Sequence, residues 1–170
     1  IMDRASLEKV AAFAKAHDLI VIADEIYCDL TYEGQHTCFA SLPDMQERTI
    51  VLNGFSKSYA MTGLRIGYVC APREALEEIY KVHQYEILCA STTSQYGAIE
   101  ALRNCDDDVK AMFEEYAARR EMIYQGLVDI GLTVFKPKGA FYIFPDISCT
   151  GMEEEEFCDR LLTEEKVGVV

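Results

Sequence analysis

The sequence predicts an α/β protein in which helices flank a mostly parallel sheet. Two short apolar runs, residues 19–23 and 49–52, alternate with helical patterns, as expected of strands that are buried on both faces. Asp24 follows the first run at once, and Lys57 comes shortly after the second. Since ligands in open α/β sheets bind beyond the carboxyl ends of the strands, the same pattern predicts where a site would lie.

The elements of the first part follow from apolar periodicity and from capping residues. A helix capped by Asp3 or Ser6 is predicted to run to about His17, ahead of the first strand. Residues 65–70 form a third strand, and Pro72 can open the next helix. Residues 92–104 have the pattern of a further helix.

A long amphipathic helix over residues 108–130 is predicted to lead into a smaller α+β unit. Residues 133–135 and 140–144 are predicted to pair as strands, with residues 136–139 as the turn between them. A helix over residues 152–165 and a strand over residues 167–170 follow. We therefore expect a large domain over residues 1–128 and part of a small domain over residues 129–170.

Both domains are expected to be incomplete. Ile1 is not an ordinary initiator residue, and the last predicted strand stops at Val170, the final residue. These two ends predict a fragment of a longer protein.

Composition limits the function classes. The 170 residues are half apolar and carry a formal net charge of −13, which argues against nucleic-acid binding because that needs a basic face. Apolar runs are too short to cross a bilayer, and the seven scattered cysteines are typical of reduced thiols, so a cytoplasmic protein without a membrane role is expected. The three histidines, His17, His36 and His83, are isolated and lack metal-ligand spacing, so no metal site is predicted.

The run from Gly54 to Gly67 carries the strongest chemical signal. Lys57 stands among small and hydroxyl residues, and Arg65 follows eight positions later. A lysine in such a setting can form a Schiff base with a carbonyl compound, and an arginine offers a planar fork of donors to a phosphate. The run therefore suggests a lysine that holds an aldehyde cofactor and an arginine that binds the cofactor's phosphate.

Taken singly, the polar residues have ordinary structural explanations. Asp24 could cap a backbone turn, Tyr27 could pack in the core with its hydroxyl in water, Arg65 could form a surface ion pair and Lys57 could be solvated. Their joint order and spacing favour a shared site.

Three segments carry a family resemblance. Residues 23–27 read Ala-Asp-Glu-Ile-Tyr, residues 54–67 contain Ser-Lys followed by Met-Thr-Gly-x-Arg-x-Gly, and residues 136–142 read Lys-Pro-Lys-Gly-Ala-Phe-Tyr. In this order they resemble the class I and II aminotransferases that depend on pyridoxal 5'-phosphate, which have fold type I and include aspartate aminotransferase. The resemblance covers essentially the whole chain. It implies that the large domain is the cofactor-binding one.

The resemblance also implies roles for five residues. Lys57 would hold the cofactor as an internal aldimine and then move a proton, while Asp24 would pair with the protonated pyridine nitrogen. Tyr27 would hydrogen-bond the phenolic oxygen of the ring. Arg65 would bind the phosphate, with Ser56 as a weaker candidate.

The chain departs from the family pattern at one position. Gly54 stands three places before the lysine, where the family commonly has a hydroxyl residue. A phosphate contact is then missing, or a nearby serine supplies it.

The activity that the resemblance implies is amino-group transfer between an amino acid and a 2-oxo acid, in a homodimer at full length. Two alternatives stay open: a β-lyase of the same fold, and a catalytically inert fragment. The second is open because the family's substrate-clamping arginine and glycine-rich phosphate turn would fall outside this sequence.

Overall fold

The computed structural model describes residues 1–169, which contain five α-helices and two small sheets. The helices are α1 (Arg4–Ala16), α2 (Arg73–Glu86), α3 (Thr92–Asn104), α4 (Asp106–Asp129) and α5 (Glu154–Glu165). The strands are β1 (Val21–Asp24), β2 (Thr49–Gly54), β3 (Gly67–Cys70), β4 (Thr133–Val134) and β5 (Pro145–Asp146). The predicted α/β class is confirmed.

The first sheet has the order β1-β2-β3 and is only partly parallel. Strand β1 runs parallel to β2, with Asp24 paired to Leu52. Strand β3 runs antiparallel to β2, so that Gly67 lies opposite Gly54. The predicted third strand therefore exists but is shorter than expected. Because β3 is antiparallel to β2, the sheet is mixed.

The expectation that the first strand is buried on both faces is wrong for the described residues. Ile22 in β1 has 67% of its surface exposed, and Ile20 just before it has 69%. Strand β2 fits the expectation better, since Thr49 and Val51 are buried. The apolar run does form a strand, but its composition does not predict how far other residues bury each of its faces.

A compact core joins α1 to the first sheet. Its buried members are Ala11 and Ala14 of α1, together with Phe39, Leu42 and Met45 from the connection between β1 and β2. Met45 is fully buried. This connection therefore supplies more than half of the buried core residues and fixes α1 over the sheet.

Helix caps follow the sequence prediction. The side chain of Asp3 accepts a hydrogen bond from the Ser6 amide at 2.8 Å, which selects Asp3 over Ser6 as the cap of α1. Acidic residues occupy the first turns of α4 and α5, where the helix dipole favours negative charge. Pro72 occupies the cap position ahead of α2.

The predicted pairing of residues 133–135 with residues 140–144 is wrong. Strand β4 pairs with β5 instead, with Val134 opposite Pro145. Gly139 forms an isolated antiparallel bridge with Thr31, and the Ala140 amide donates to the Leu30 carbonyl at 2.9 Å. The Ala140 amide, which a hairpin would have used, is thus bonded to residue 30 instead.

The terminal strand predicted for residues 167–170 is not formed over residues 167–169, and Val170 lies outside the described residues. Within residues 1–169, no helix combines the length and the apolar character that crossing a membrane requires.

Two compact units divide the chain. The first comprises Ile1–Tyr116 and Lys138–Ala140, and the second comprises Ala117–Pro137 and Phe141–Val170. The division falls inside α4, and it assigns Lys138 and Gly139 of the predicted turn, together with Ala140, to the first unit. The domain boundary at residue 128 stays a prediction.

Candidate functional site

The carboxyl ends of β1 and β2 meet at one edge of the first sheet. The strands are parallel and adjacent, and Asp24 is the last residue of β1. The ladder continues one residue further, since the Glu25 amide donates to the Leu52 carbonyl at 2.9 Å. Strand β2 ends at Gly54, three residues before Lys57. The two strands that carry the predicted site residues therefore lie side by side, as the sequence argument required.

Lys57 lies in a tight turn immediately after β2. The amides of Tyr59 and Met61 both donate to the Phe55 carbonyl, at 3.3 and 3.2 Å. The Phe55 side chain is 7% exposed and anchors the start of the turn. Lys57 itself is half-buried, so its position is set by a short, hydrogen-bonded segment.

Lys57 and Tyr27 are brought together. The Nζ atom of Lys57 lies 5.8 Å from the centroid of the Tyr27 ring, within the range of a cation–π contact. Tyr27 sits in the turn that follows β1, where the Cys28 amide donates to the Glu25 carbonyl at 2.9 Å. Residues thirty positions apart in sequence thus meet where the two strands end.

Asp24 shares a cavity with Tyr27. An open cavity of about 430 Å³ runs along β1, and both residues contribute to its wall, whereas Lys57 does not. Asp24 is exposed, and its Oδ1 accepts a hydrogen bond from the Ile26 amide at 3.1 Å. The carboxylate therefore performs the turn-capping role that was its structural explanation, and a second role needs a test that separates the two.

Arg65 makes its hydrogen bond locally. Its Nη1 donates to the Thr62 carbonyl at 2.8 Å, and its side chain is exposed. The backbone of Arg65 is left-handed, with φ +48°, a conformation that costs a non-glycine residue about 1–2 kcal/mol. The neighbouring Leu64 carbonyl accepts a 2.6 Å bond from the Ser94 hydroxyl of α3, which holds this segment in place. The role of Arg65 as a phosphate ligand stays a prediction.

The serines around Lys57 differ in environment. Ser56 is half-buried, whereas Ser58 is 1% exposed. Within residues 1–169 the Ser58 hydroxyl oxygen is buried without a hydrogen-bond partner. Ser56 is thus the better placed of the two to meet a ligand from solvent.

Gly54 has a close backbone neighbour. A Cβ atom at this position would lie 2.9 Å from the Gly67 Cα and 3.0 Å from the Ile66 carbonyl oxygen. Such distances require the backbone to shift. A hydroxyl residue therefore does not fit here in this arrangement of β2 and β3, which explains the departure noted in the sequence.

One polar pair was missed by the sequence argument. Glu25 has a side chain that is 9% exposed, and its Oε2 lies 2.9 Å from Nε2 of His36. Its other oxygen, Oε1, accepts a hydrogen bond from the Phe39 amide at 2.8 Å. His36 therefore has a structural partner that its position in the sequence did not indicate. The signal available in the sequence was Glu25 itself, a second acidic residue directly after Asp24 for which no role is predicted above.

Two cysteines near the site have perturbed thiols. Burial raises the pKa of the Cys28 thiol, partly offset by the Asn53 side-chain amide, which donates to Sγ at 3.3 Å. Burial likewise raises the pKa of the Cys38 thiol, and the Glu25 carboxylate adds to that rise. Both thiols are consequently less ionised at neutral pH than an ordinary cysteine.

Comparisons with known proteins identify the family. The family described as Aminotransferase class I and II matches residues 1–170. The chain is 46% identical over 173 residues to the aspartate aminotransferase of Pyrococcus abyssi, and 42% identical over 173 residues to aromatic-amino-acid aminotransferase 2 of Thermococcus litoralis. Each alignment covers all of this chain and 44% of the relative. The chain thus spans less than half the length of these curated relatives.

Solved structures agree with this result. The crystal structure of an aromatic aminotransferase from Pyrococcus horikoshii OT3 superposes with a TM-score of 0.97 at 43% identity, covering all of this chain and 46% of that one. An aspartate aminotransferase from Thermotoga maritima superposes with a TM-score of 0.91 at 31% identity, again over all of this chain and 44% of that one. The predicted fold type I is confirmed by these neighbours. The chain belongs to the class I and II aminotransferase family.

Proposed function

We propose that the protein is a pyridoxal 5'-phosphate-dependent aminotransferase that moves an amino group between an amino acid and a 2-oxo acid. Family membership and the names of the relatives, which include aspartate and aromatic-amino-acid aminotransferases, support this activity. The β-lyase alternative has no observation in its favour.

The observation that carries the proposal is the meeting of Lys57 with Tyr27 beside the end of β1. A half-buried amine, a phenol and a carboxylate follow two adjacent parallel strands at the same edge of the sheet. This donor set matches the chemistry of the cofactor, which presents an aldehyde, a phenolic oxygen and a basic ring nitrogen. The residues present therefore fit the group.

Each residue has one part in the proposal. Lys57 would hold the cofactor through its aldehyde carbon, with loss of one water, and when released would take the proton from the substrate α-carbon and deliver it to that cofactor carbon. Asp24 would keep the ring nitrogen protonated, because a nearby carboxylate favours the cation. Tyr27 would donate a hydrogen bond from its hydroxyl to the phenolic oxygen of the ring. Arg65, together with Ser56, would bind the phosphate. The bound cofactor supplies an electron sink for the carbanion.

The assembly of the whole protein is a further part of the proposal. A homodimer, a cytoplasmic location and the division into a cofactor-binding domain over residues 1–128 and a small domain from residue 129 stay predictions. Analytical ultracentrifugation of the full-length protein decides the first of these, with a single species of twice the chain mass as the expected result.

The sharpest test concerns Asp24, because it separates its two roles. Asp24→Asn keeps an oxygen that can accept the bond from the Ile26 amide but removes the charge. We expect turnover of the full-length protein to fall about a hundred-fold or more, since removing a fixed electrostatic partner of a reacting group typically costs this much. The unfolding midpoint should stay near that of the parent. Full activity in Asp24→Asn would leave only the turn-capping role.

The products distinguish transamination from lyase action. Incubation of the full-length protein with L-aspartate or an aromatic amino acid should produce pyridoxamine phosphate and the matching 2-oxo acid, measured by chromatography. An L-cysteine S-conjugate, whose thiol is a β leaving group, is tested in parallel, and release of the thiol, ammonia and pyruvate from it without pyridoxamine phosphate would replace the aminotransferase proposal with the lyase.

A further inference from the structure

Glu25 is the buried acidic group that the proposed chemistry leaves without a task. Its side chain is 9% exposed, and both of its carboxylate oxygens are occupied. A carboxylate so nearly removed from water requires compensating hydrogen bonds, and here it has one to a side chain and one to a backbone amide. Such a group is costly to place, so its position calls for a physical reason.

The two bonds connect the end of β1 to a distant part of the chain. His36 lies eleven residues and Phe39 fourteen residues beyond Glu25. The bond to the Phe39 amide is 2.8 Å long, within the range of a well-formed N–H···O hydrogen bond. The carboxylate therefore closes the loop that leaves the site and returns to the core.

Phe39 is a fixed point for this connection. Its ring is 4% exposed and belongs to the core cluster beneath α1. A bond from Glu25 to the amide of this residue therefore links the strand end to the best packed part of the first unit. His36 completes the link from the solvent side, with 27% of its side chain exposed.

The backbone of Glu25 carries the residues on both sides of it. Its amide donates to Leu52 of β2 and its carbonyl accepts from the Cys28 amide, which closes the turn that holds Tyr27. Asp24 precedes it directly, and the Leu30 amide donates to the Tyr27 carbonyl at 3.0 Å. Movement of Glu25 would therefore move Asp24 and Tyr27 together.

We propose that Glu25 is a positioning residue, whose carboxylate, bonded to His36 and to the Phe39 amide, fixes the strand end and turn that carry Asp24 and Tyr27. The inference rests on the proposed function, because Asp24 and Tyr27 need a fixed position only if they meet a cofactor ring. The role depends on the reach of the side chain to both partners.

Two conservative variants separate reach from charge. Glu25→Asp keeps the charge but is one methylene shorter, so it cannot span both partners without moving the strand end. Glu25→Gln keeps the reach and an oxygen acceptor for the Phe39 amide but loses the charge. Glu47→Asp, the same substitution at an exposed position in the connection before β2, is the matched control.

Amide hydrogen exchange in the cofactor-free protein, followed by NMR, gives the first readout. Loss of one well-formed hydrogen bond predicts about ten-fold faster exchange. In Glu25→Asp we expect that increase at Phe39 and also at Ile26, Cys28 and Leu30, with parent rates at Val51 in β2. Glu25→Gln and Glu47→Asp should exchange within about two-fold of the parent.

Several exchange results would overturn the proposal. Faster exchange at Phe39 alone would mean that Glu25 holds the loop and not the site turn. Faster exchange at Val51 as well would mean general destabilisation, and a stronger effect of Glu25→Gln than of Glu25→Asp would assign a role to the charge instead. Should Glu25→Asp not fold, His36→Ala takes its place, and parent rates at Ile26 and Cys28 in that variant would refute the positioning role.

The second readout is the visible circular dichroism of bound pyridoxal phosphate, which reports a fixed, asymmetric setting of the ring. Glu25→Asp should lose dichroic intensity and bind the cofactor about ten-fold more weakly, while Glu25→Gln keeps both. Unchanged dichroism in Glu25→Asp would reduce Glu25 to a structural residue. Absence of cofactor binding in the parent protein would instead contradict the proposed function, and the exchange rates would still decide the role of Glu25.

Discussion

Gly54 and Gly67 lie face to face where β2 and β3 pair, and their contact sets the geometry directly before Lys57. A Cβ atom on Gly54 would meet backbone atoms at 2.9 and 3.0 Å, which no side-chain rotation can relieve. Gly63, nine residues further on, has nothing within 4 Å of the same hypothetical atom. These two glycines form a matched pair for a substitution experiment.

Gly54→Ala should destabilise the protein and Gly63→Ala should not. We expect the first to lower the free energy of unfolding by about 1–3 kcal/mol, because the backbone must shift to admit the methyl group. The second should leave it unchanged or raise it by about 0.4–1 kcal/mol through the unfolded state. Urea denaturation measures both. Equal stability of the two variants would mean that β2 and β3 are not in this close contact.

The Cys28 thiol provides a test of burial at the site. Because burial raises its pKa, its thiolate fraction at a given pH is lower than that of an unburied thiol. The rate of its alkylation by iodoacetamide, followed by peptide mass spectrometry, should reach half its maximum at a higher pH than for glutathione. A midpoint at or below that of glutathione would show an exposed or cation-paired thiol.

At the residue scale, the sequence suggested candidate site residues but not all of their local contacts. Lys57, Asp24 and Tyr27 were chosen from their order, and the contact of Lys57 with Tyr27 agrees with that choice. The Glu25–His36 bond was not predictable, because a pair eleven residues apart has no local signature. Neither was the local bond of Arg65 to Thr62, since it depends on the left-handed backbone of Arg65.

At the scale of elements, α1 is attached to the first sheet by the connection between β1 and β2. Met45 in this connection is fully buried beside Ala11 and Ala14 of the helix. The same region contains Thr49, whose hydroxyl donates to the Met45 carbonyl at 2.7 Å. The position of β1, and hence of Asp24, thus depends on packing within a connection for which the sequence predicts no helix or strand.

Met45→Ala should be strongly destabilising. We expect a loss of about 2–5 kcal/mol in the free energy of unfolding, because the substitution leaves a cavity among buried residues. Met122→Ala, on α4, is the control, since Met122 is 72% exposed and its substitution should change stability by less than about 0.5 kcal/mol. Thermal denaturation followed by circular dichroism compares them, and equal midpoints would contradict the described core.

Helices were predicted more accurately than strands, for a physical reason. Helix α3 was predicted to the residue and α4 within two residues, because apolar periodicity and caps are local. Strand partners depend on distant residues. Residues 140–144 have strand-like composition, but the Ala140 amide donates to the Leu30 carbonyl and the Lys138 carbonyl accepts from the Tyr32 amide, while β5 pairs with β4.

At the scale of the whole molecule, acidic residues dominate. The chain has 29 acidic and 16 basic residues, for a formal net charge of −13 and a pI of about 4.6. Mutual repulsion among like charges keeps molecules apart, and this repulsion vanishes near the pI. We expect the turbidity of a concentrated solution to peak near pH 4.6 and to be low at pH 7. A peak above pH 7 would mean that the excess of acidic over basic side chains does not determine the net charge of the molecule in solution.

The chain covers 44% of the aspartate aminotransferase of Pyrococcus abyssi, so the activity belongs to the proposal for the full-length protein. Cofactor attachment can be tested on residues that this chain contains, because Lys57 and Tyr27 are in contact within it.

Borohydride fixation of pyridoxal phosphate, followed by peptide mass spectrometry, therefore tests the central claim most directly. The full-length protein is incubated with the cofactor, reduced and digested, with Lys57→Ala and Lys81→Ala, an exposed surface lysine, treated in parallel. We predict that the reduced cofactor is found on Lys57, that Lys81→Ala matches the parent and that Lys57→Ala incorporates none. Attachment at another lysine, or equal incorporation by Lys57→Ala, would contradict the account.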